Sequence, residues 1–353
     1  MNYWKKITLG LVGIFVLSLI NPLTSFAENN VNAGVGYSVQ KVSPGNEVND
    51  ASPFYDLKIK PGEKRTIEAK LINPSNEEIT IESKLFTAST NINGEINYTS
   101  KSEEFDKSLK VKLSEVAEIA ASDVKTTLAP KEEKIISTTI NLPKDTSTGV
   151  ILGSWYFEKL GQVKEDDQEG IVINNKYSYA IAIKLTVDKE IDQPNLNLLN
   201  ITTGLNNYRK VINANIQNDQ PALVANLTIN AKIMKKGQYD VLYENSAEGI
   251  MMAPNSNFPF PIFLEDQPLK AGDYTMKLIA TTDDPKWESQ KWEWSEDFTI
   301  TSDEAKKINA EAINDPDQPT AWWIYVVIGL GIVIIVLLLI LVLKKRKKDE
   351  ANG

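Results

Sequence analysis

Apolar side chains recur at every second position through most of this chain. Leu57 and Ile59 alternate with polar neighbours, as do Ile67, Ala69 and Leu71, then Ile79 and Ile81. Further on come Ile136/Thr138/Ile140/Leu142, the run Gly149 to Tyr156, and Tyr179/Ile181/Ile183/Leu185/Val187. Each run stops at turn residues such as Pro61-Gly62 or Asn73-Pro74-Ser75-Asn76. A period of two puts one face of an extended strand in a dry core and the other in water. Many short strands of this kind must cover each other's dry faces, which predicts β-sandwiches.

The pattern occurs twice. "TIEAKLINPSNEEITIESKL" resembles "VINANIQNDQPALVANLTINAKI", so Ile67, Ala69, Leu71 and Asn73 align with Ile212, Ala214, Ile216 and Asn218. Between the two units, "VDKEIDQPNLNL" reads as a hinge, because Pro194 blocks continued pairing. In the second unit Leu223, Ala225, Leu227 and Ile229 continue the alternation, and Trp292, Trp294, Phe298 and Ile300 close it. Asn93-Gly94 between β-prone flanks predicts a tight hairpin. Ser102 to Ala121 reads equally well as a helix, with Phe105, Leu109, Val116 and Ile119 on its apolar face, and as a loop.

The ends predict a compartment. Lys5 and Lys6, an apolar run from Ile7 to Ile20 and Ser25-Phe26-Ala27 form the pattern of a signal peptide, residues 1–27. Trp322 to Leu343 is a run of 22 uncharged residues, roughly 33 Å as a helix, enough to cross a bilayer. Five bases, Lys344 to Lys348, follow in the tail 344–353 and predict a cytoplasmic C-terminus, with everything before the span outside. The expected fold class is therefore mostly β: two tandem immunoglobulin-like β-sandwich domains, 34–190 and 191–300, a linker 301–321 and one C-terminal transmembrane helix, 322–343. Within the linker, "SDEAKKINAEAI" can form a short helix.

Composition excludes several chemistries. With no cysteine and no histidine, thiol nucleophiles, Ser-His-Asp triads and the usual zinc sites are absent. A secreted domain of this size without disulfides points to a bacterial surface. Setting aside the signal peptide and the tail leaves 31 bases against 45 acids, a balance near −14 that argues against nucleic acid as a partner. A carboxylate pair for glycan hydrolysis remains formally available, but 47 acids supply such pairs by chance. Glu165 to Glu169 ("EDDQE") lacks EF-hand spacing and reads as a solvated loop before it reads as a calcium site. No cofactor or metal is expected.

The segments "SPFYDLKIKPGEKRTIEAKLINPSNEEITIESKLFTASTNINGEINY" and "LPKDTSTGVILGSWYFEK" resemble the DUF916 domain of Gram-positive surface proteins. "GIMMAPNSNFPFPIFLEDQPLKAGDYTMKLIATT" followed by "KWEWSEDFTI" resembles the DUF3324 domain. Together they identify the family of WxL-interacting proteins. One departure is "ILGSWYF", where the family pattern has Gly-Gly and an aliphatic, so Trp155 alters local packing or offers an exposed ring. The resemblance implies no enzymatic activity. It implies a first domain that binds peptidoglycan and a second that binds WxL-domain surface proteins, so that the chain tethers a surface complex at the Gram-positive cell envelope. Two rival readings are a surface adhesin for a host protein and a chaperone-like factor that assembles subunits by strand donation.

Met252, Phe258 and Phe260, in a stretch broken by Pro254, Pro259 and Pro261, read as a partner-facing patch on an edge or loop, or as core. Trp287, after Asp283-Asp284-Pro285, is the better candidate for an exposed partner contact; Trp292 and Trp294 read as core before they read as a stacking surface. Tyr55, Asn91 and Tyr98 are the glycan candidates, because rings pack on sugar faces and amides pair with hydroxyls.

Overall fold

The computed structural model describes residues 36–102, 104–161, 177–189 and 193–313, together with Leu330. The expected signal peptide, the acidic loop at 165–169, the linker beyond 313, the tail and, apart from Leu330, the membrane span lie outside the described residues. Among the described residues no helix is long and apolar enough to cross a membrane.

The first sandwich packs a four-stranded sheet on a five-stranded one. The smaller holds β1 (Ser38–Val42), β3 (Lys64–Ile72), β9 (Glu133–Asn141) and β7 (Ala117–Ile119), in that order. The larger holds β2 (Tyr55–Ile59), β11 (Ser178–Val187), β10 (Gly149–Leu160), β4 (Ile79–Thr87) and β8 (Lys125–Leu128). β2 and β11 pair in parallel, Leu57 opposite Leu185. The alternation does what its period requires: Leu57, Ile59, Ile67, Ala69, Leu71, Ile183 and Leu185 all enter one core. Trp155 is fully buried in it, its ring centroid 5.1 Å from that of Phe157, so the departure from the family pattern is internal packing and not an exposed ring.

The second sandwich packs β12 (Leu196–Asn206), β13 (Arg209–Asn218) and β16 (Ser256–Phe263) on β15 (Val241–Met252), β14 (Val224–Lys235), β17 (Gly272–Thr282) and β18 (Gln290–Ile300). The expected alternation slips in β14. Asn226 has φ 48° and the register shifts beside it, so Val224 and Leu227 both face inward while Leu223 does not. Because β11 belongs to the first sandwich and β12 to the second, the chain passes between folding units after Val187.

The sequence repeat marks a change of sheet. β3 and β13 each lie in the smaller sheet of their sandwich, and β4 and β14 in the larger. Asn73 and Asn218, both fully buried, hold these crossings. Asn73 Nδ2 donates to the carbonyls of Glu77 (2.8 Å), Leu128 (3.2 Å) and Ala129 (2.8 Å). Asn218 Nδ2 donates to those of Ala222 (2.7 Å) and Ala253 (3.0 Å). In each corner Oδ1 accepts a backbone N–H two residues on, from Ser75 or Gln220, as an Asx turn does.

Ser102 to Ala121 is neither one helix nor one loop. A single turn, α1 (Leu113–Val116), runs directly into β7. Leu113 alone of the turn is buried, too little apolar surface to hold a longer helix. The linker also needs correction. Its first part is α2 (Ser302–Glu311), started by a capping box in which Thr301 Oγ1 accepts from Glu304 N–H and Glu304 accepts from Thr301 N–H. Ala305 and Ile308 are buried in the second core, and the Asn309 amide pairs with both backbone groups of Leu269. The second domain thus extends past 300, through at least Ile313, whose N–H donates to Tyr208 O.

Asn73→Ala removes the Nδ2 donor from the buried Leu128 carbonyl and the Oδ1 acceptor that shapes the Ser75 turn, and a buried unpaired polar group costs on the order of 1–3 kcal/mol. We expect thermal melting to show a loss of about 2–4 kcal/mol for Asn73→Ala, while removing the exposed pair partner in Lys70→Ala costs under about 1 kcal/mol.

Candidate binding site at the domain junction

The two sandwiches meet through a hairpin and a turn. β5 (Ser89–Thr90) and β6 (Ile96–Asn97) form the expected hairpin, paired Ser89 to Asn97 and closed at Asn93-Gly94. Gly94 has φ 73° and lies against the second domain: a Cβ there would sit 2.8 Å from Ile250 Cγ2. Its carbonyl accepts from Met251 N–H at 2.8 Å. The Ser256 hydroxyl donates to Ala253 O at 2.8 Å, so its oxygen accepts from the Thr90 hydroxyl at 2.6 Å. Thr90 Oγ1 in turn accepts from Ala253 N–H at 3.0 Å. Beside this chain, Val150 N–H donates to Pro221 O at 2.7 Å.

Apolar contact seals the same place. Ala88, Val150 and Leu152 from the first domain bury against Ala253 of the second, with Ile96, Tyr98 and Leu223 packed around them. This is why β10 has no alternation over its first half. Ile151 and Trp155 face its own core, while Val150 and Leu152 face the other domain.

Asp106 is the charged element of the junction. Its carboxylate accepts from Ser108 N–H (2.8 Å) and Ser108 Oγ (2.6 Å), from Gln217 Nε2 (2.8 and 3.0 Å) and from Asn257 Nδ2 (2.6 Å). Burial works to raise its pKa. The hydrogen bonds from Ser108, Asn257 and Gln217 together outweigh burial and hold it below the ordinary carboxylate value. Next to this contact lies an open cavity of about 470 Å³, walled by Ser108, Lys110, Thr146, Thr148 and Gly149 on one side and Asp219, Pro221 and Asn255 on the other.

The residues expected to contact partners fall in three environments. Met252, Phe258 and Phe260 are core, at most 2% exposed, so the partner-facing patch is not on the surface. The prolines do make β16 an edge strand, but its alternation turns Phe258 and Phe260 inward, where burying each ring is worth about 2–3 kcal/mol. Tyr55 is also core, its hydroxyl donating to Glu68 O at 2.5 Å, and so is closed to a sugar. Asn91 and Tyr98 sit in the junction hairpin. Asn91 Oδ1 accepts from Asn93 and Glu95 N–H at 2.9 and 3.1 Å, which shapes the turn. Tyr98 is half-buried at the seal, and burial pushes its hydroxyl up to about 12. Trp287 is half-exposed under Lys286, whose Nζ is 6.0 Å from its ring. Asp106, Gln217 and Asn257 were missed. They come from three separate segments, and no local pattern marks a carboxylate that will meet two amides from another domain.

Comparison with known families decides the lineage. Residues 37–159 match the WxL Interacting Protein, peptidoglycan binding domain, and residues 168–310 match the WxL Interacting Protein, host binding domain. The chain belongs to the WxL-interacting protein family. It carries a peptidoglycan binding domain followed by a host binding domain, and the second match begins before β11, which by its hydrogen bonds to β10 and β2 belongs to the first sandwich of this WxL-interacting protein. No curated protein matches the sequence significantly. Among solved structures the chain is similar to the YadV chaperone (8% identity, 74% of this chain and 100% of that one, TM-score 0.29). It is also similar to the E. coli chaperone DraB (14%, 67% and 93%, TM-score 0.25) and to a PapD-like domain of human CEP192 (11%, 44% and 88%, TM-score 0.24).

Because Asp106 has a depressed pKa, its contribution to the junction is present above the ordinary carboxylate value of about 3.9 and is lost as pH falls through its lower folded value. Small-angle scattering should give a constant radius of gyration from neutral pH to about 5 and an increase below about 4. In Asp106→Ala the amides of Gln217 and Asn257 lose their acceptor, so the increase should already be present at neutral pH.

Proposed function

We propose that this chain is a membrane-anchored, non-enzymatic adaptor that joins peptidoglycan to a WxL-domain surface protein. What supports the reading is the pair of family matches, a peptidoglycan binding domain and a host binding domain of WxL Interacting Proteins, on either side of one sealed junction; the second description equally favours a host protein as partner. Two weak sites held at fixed geometry reinforce each other through effective concentration, so neither domain needs high affinity. The uncharged run 322–343 supplies the anchor, with the C-terminus in the cytoplasm. Since α2 belongs to the second domain, only residues 314–321 separate that domain from the run, at most about 28 Å when extended. The second domain therefore works close to the membrane, and the first reaches into the wall.

The junction cavity is the place we assign to wall polymer, because it is a concavity of about 470 Å³ lined by hydroxyls, the Asn255 amide, Lys110 and two carboxylates among apolar side chains. Ser147 and Thr148 match sugar hydroxyls and N-acetyl groups, and Lys110 matches a stem-peptide carboxylate. Trp287, the surface aromatic among the partner candidates, is the side chain we assign to the protein partner.

Ser147 lines the cavity at its exposed rim. Ser147→Trp should fill the cavity and reduce co-sedimentation with purified peptidoglycan by about tenfold, a loss near 1.4 kcal/mol, while capture of a WxL domain is unchanged. Equal pelleting of wild type and variant would move the wall site elsewhere on the first domain. If the wild type pellets with no peptidoglycan at all, the adaptor reading fails.

A further inference from the structure

An open sheet edge is a standing template for another strand, and folded proteins guard it with charge, proline or cover. Leaving aside the two-residue strands of the β5-β6 hairpin, the described edges of the two sandwiches carry charge or proline with one exception. β1 carries Lys41, β7 Glu118, β2 Asp56 and Lys58, and β8 Lys125. β15 carries Glu244 and Glu248, and β18 carries Lys291, Glu293, Glu296 and Asp297. β16 is guarded by Pro259 and Pro261. β12 has neither charge nor proline: from Gln193 to Tyr208 there is no charged residue, no proline lies within the strand, and its guards are a one-residue bulge at Leu199 and the cover of α2 at its Thr203 end. Within the second domain only the stretch from Gly249 to Leu264, which holds the proline-guarded β16, is uncharged over the same length.

The surroundings of β12 suit an incoming strand. It pairs with β13 on one side and has no strand on the other among the described residues. Across the seam to β18, the half-buried side chains Leu198, Ile201, Trp292 and Trp294 pack on the second core without being enclosed by it. α2 closes the Thr203 end of this seam, with Glu304 accepting from the Thr203 hydroxyl, and leaves the Leu198–Ile201 stretch uncovered. There the register slips by one residue, and Leu199 projects at 48% exposure. The outward row of β12 is amide and hydroxyl, with Asn197, Asn200 and Thr202 opposite Gln217, Asn215 and Asn213. That row continues into the junction at Gln217, where the same face already binds a carboxylate of the first domain.

We propose that β12 is a docking edge for an extended, uncharged strand of a partner protein, which adds to the sheet beside β12 and seals the seam to β18. Apolar side chains at every second position of that strand would enter between Leu198, Ile201, Trp292 and Trp294. The intervening ones would be small and polar, matching the amide row. Main-chain hydrogen bonds supply the affinity and the seam supplies the selectivity. A neutral partner strand fits because β12 itself holds no charge that could pair an ion introduced beside it. The inference rests on the reading of the second domain as the protein-binding one, and it assigns that domain its surface.

The test uses the full-length chain in detergent micelles with a purified WxL domain as probe. Hydrogen–deuterium exchange should slow in β12 on binding and stay unchanged in β15. Ile201→Lys places an ammonium in the seam and should weaken binding by about tenfold or more, the usual effect of spoiling an apolar anchor. Thr202→Lys, on the exposed outer row, should weaken it far less. If the WxL domain binds with no change in β12 exchange, or Ile201→Lys binds as wild type, the edge is not the docking site although the adaptor reading survives. If Ile201→Lys does not fold, the exchange data on the wild type decide alone. Self-association that protects β12 without the probe would make a second copy the occupant and overturn the proposal. Should the wild type bind no WxL domain, both readings fall together.

Discussion

A buried asparagine amide at position 218 is the contact on which the architecture turns. Its two N–H groups are spent on the carbonyls of Ala222 and Ala253, which belong to different connections at one end of the second sandwich. The amide fixes both connections at once, and both are gripped by the first domain: Pro221 by Val150, and Ala253 by Thr90. A side chain unable to donate twice at this point would release a corner of the sandwich and the floor of the junction together. Asn73 does the same work at the corresponding corner of the first sandwich, tying its turn to the end of β8. The two domains are thus the same solution used twice, and in one of them the corner has acquired a neighbour.

That neighbour explains what the sequence could and could not disclose. Alternation placed Ile67, Ala69, Leu71, Ile212, Ala214 and Ile216 correctly because each strand has one core to face. It could not resolve β10, which faces a core on one side and another domain on the other. It lost register in β14 because one residue in a left-handed conformation, Asn226, reverses the parity of everything before it. The hairpin at Asn93-Gly94 was legible from its turn chemistry, since only a few dipeptides suit that geometry. Its role as a strut was not, because the contact of Gly94 with Ile250 joins residues far apart in the chain.

The same limit applies to the sites. Met252, Phe258 and Phe260 looked like an interface because prolines interrupt them, and proline does mark an edge. An edge strand still has an inward face, however, and those rings occupy it. Composition at an edge is the more informative signal, since what an edge exposes is its backbone. A strand guarded by Glu293 and Asp297, as β18 is, and one without a single charge, as β12 is, present the same hydrogen-bonding groups at different risk of association.

An acidic protein built of binding domains faces a conflict. Net charge keeps it soluble and monomeric, and the same charge repels any acidic ligand over about 8–10 Å in physiological salt. The fold separates the two requirements. Charges crowd the outer faces of β17 and β18, where Thr275 and Thr299 bind Asp297 and Asp273. The β12-β13-β16 face, apart from Arg209 at its far end, keeps amides, prolines and hydroxyls instead, and meets the first domain through two amides and one carboxylate. A contact made of amide donors tolerates a neutral or an acidic partner alike, because it needs no counter-charge and leaves none behind when empty. On this account the neutral face is the condition under which a strongly acidic protein can bind at all, and the guarded edges elsewhere direct that binding to one place.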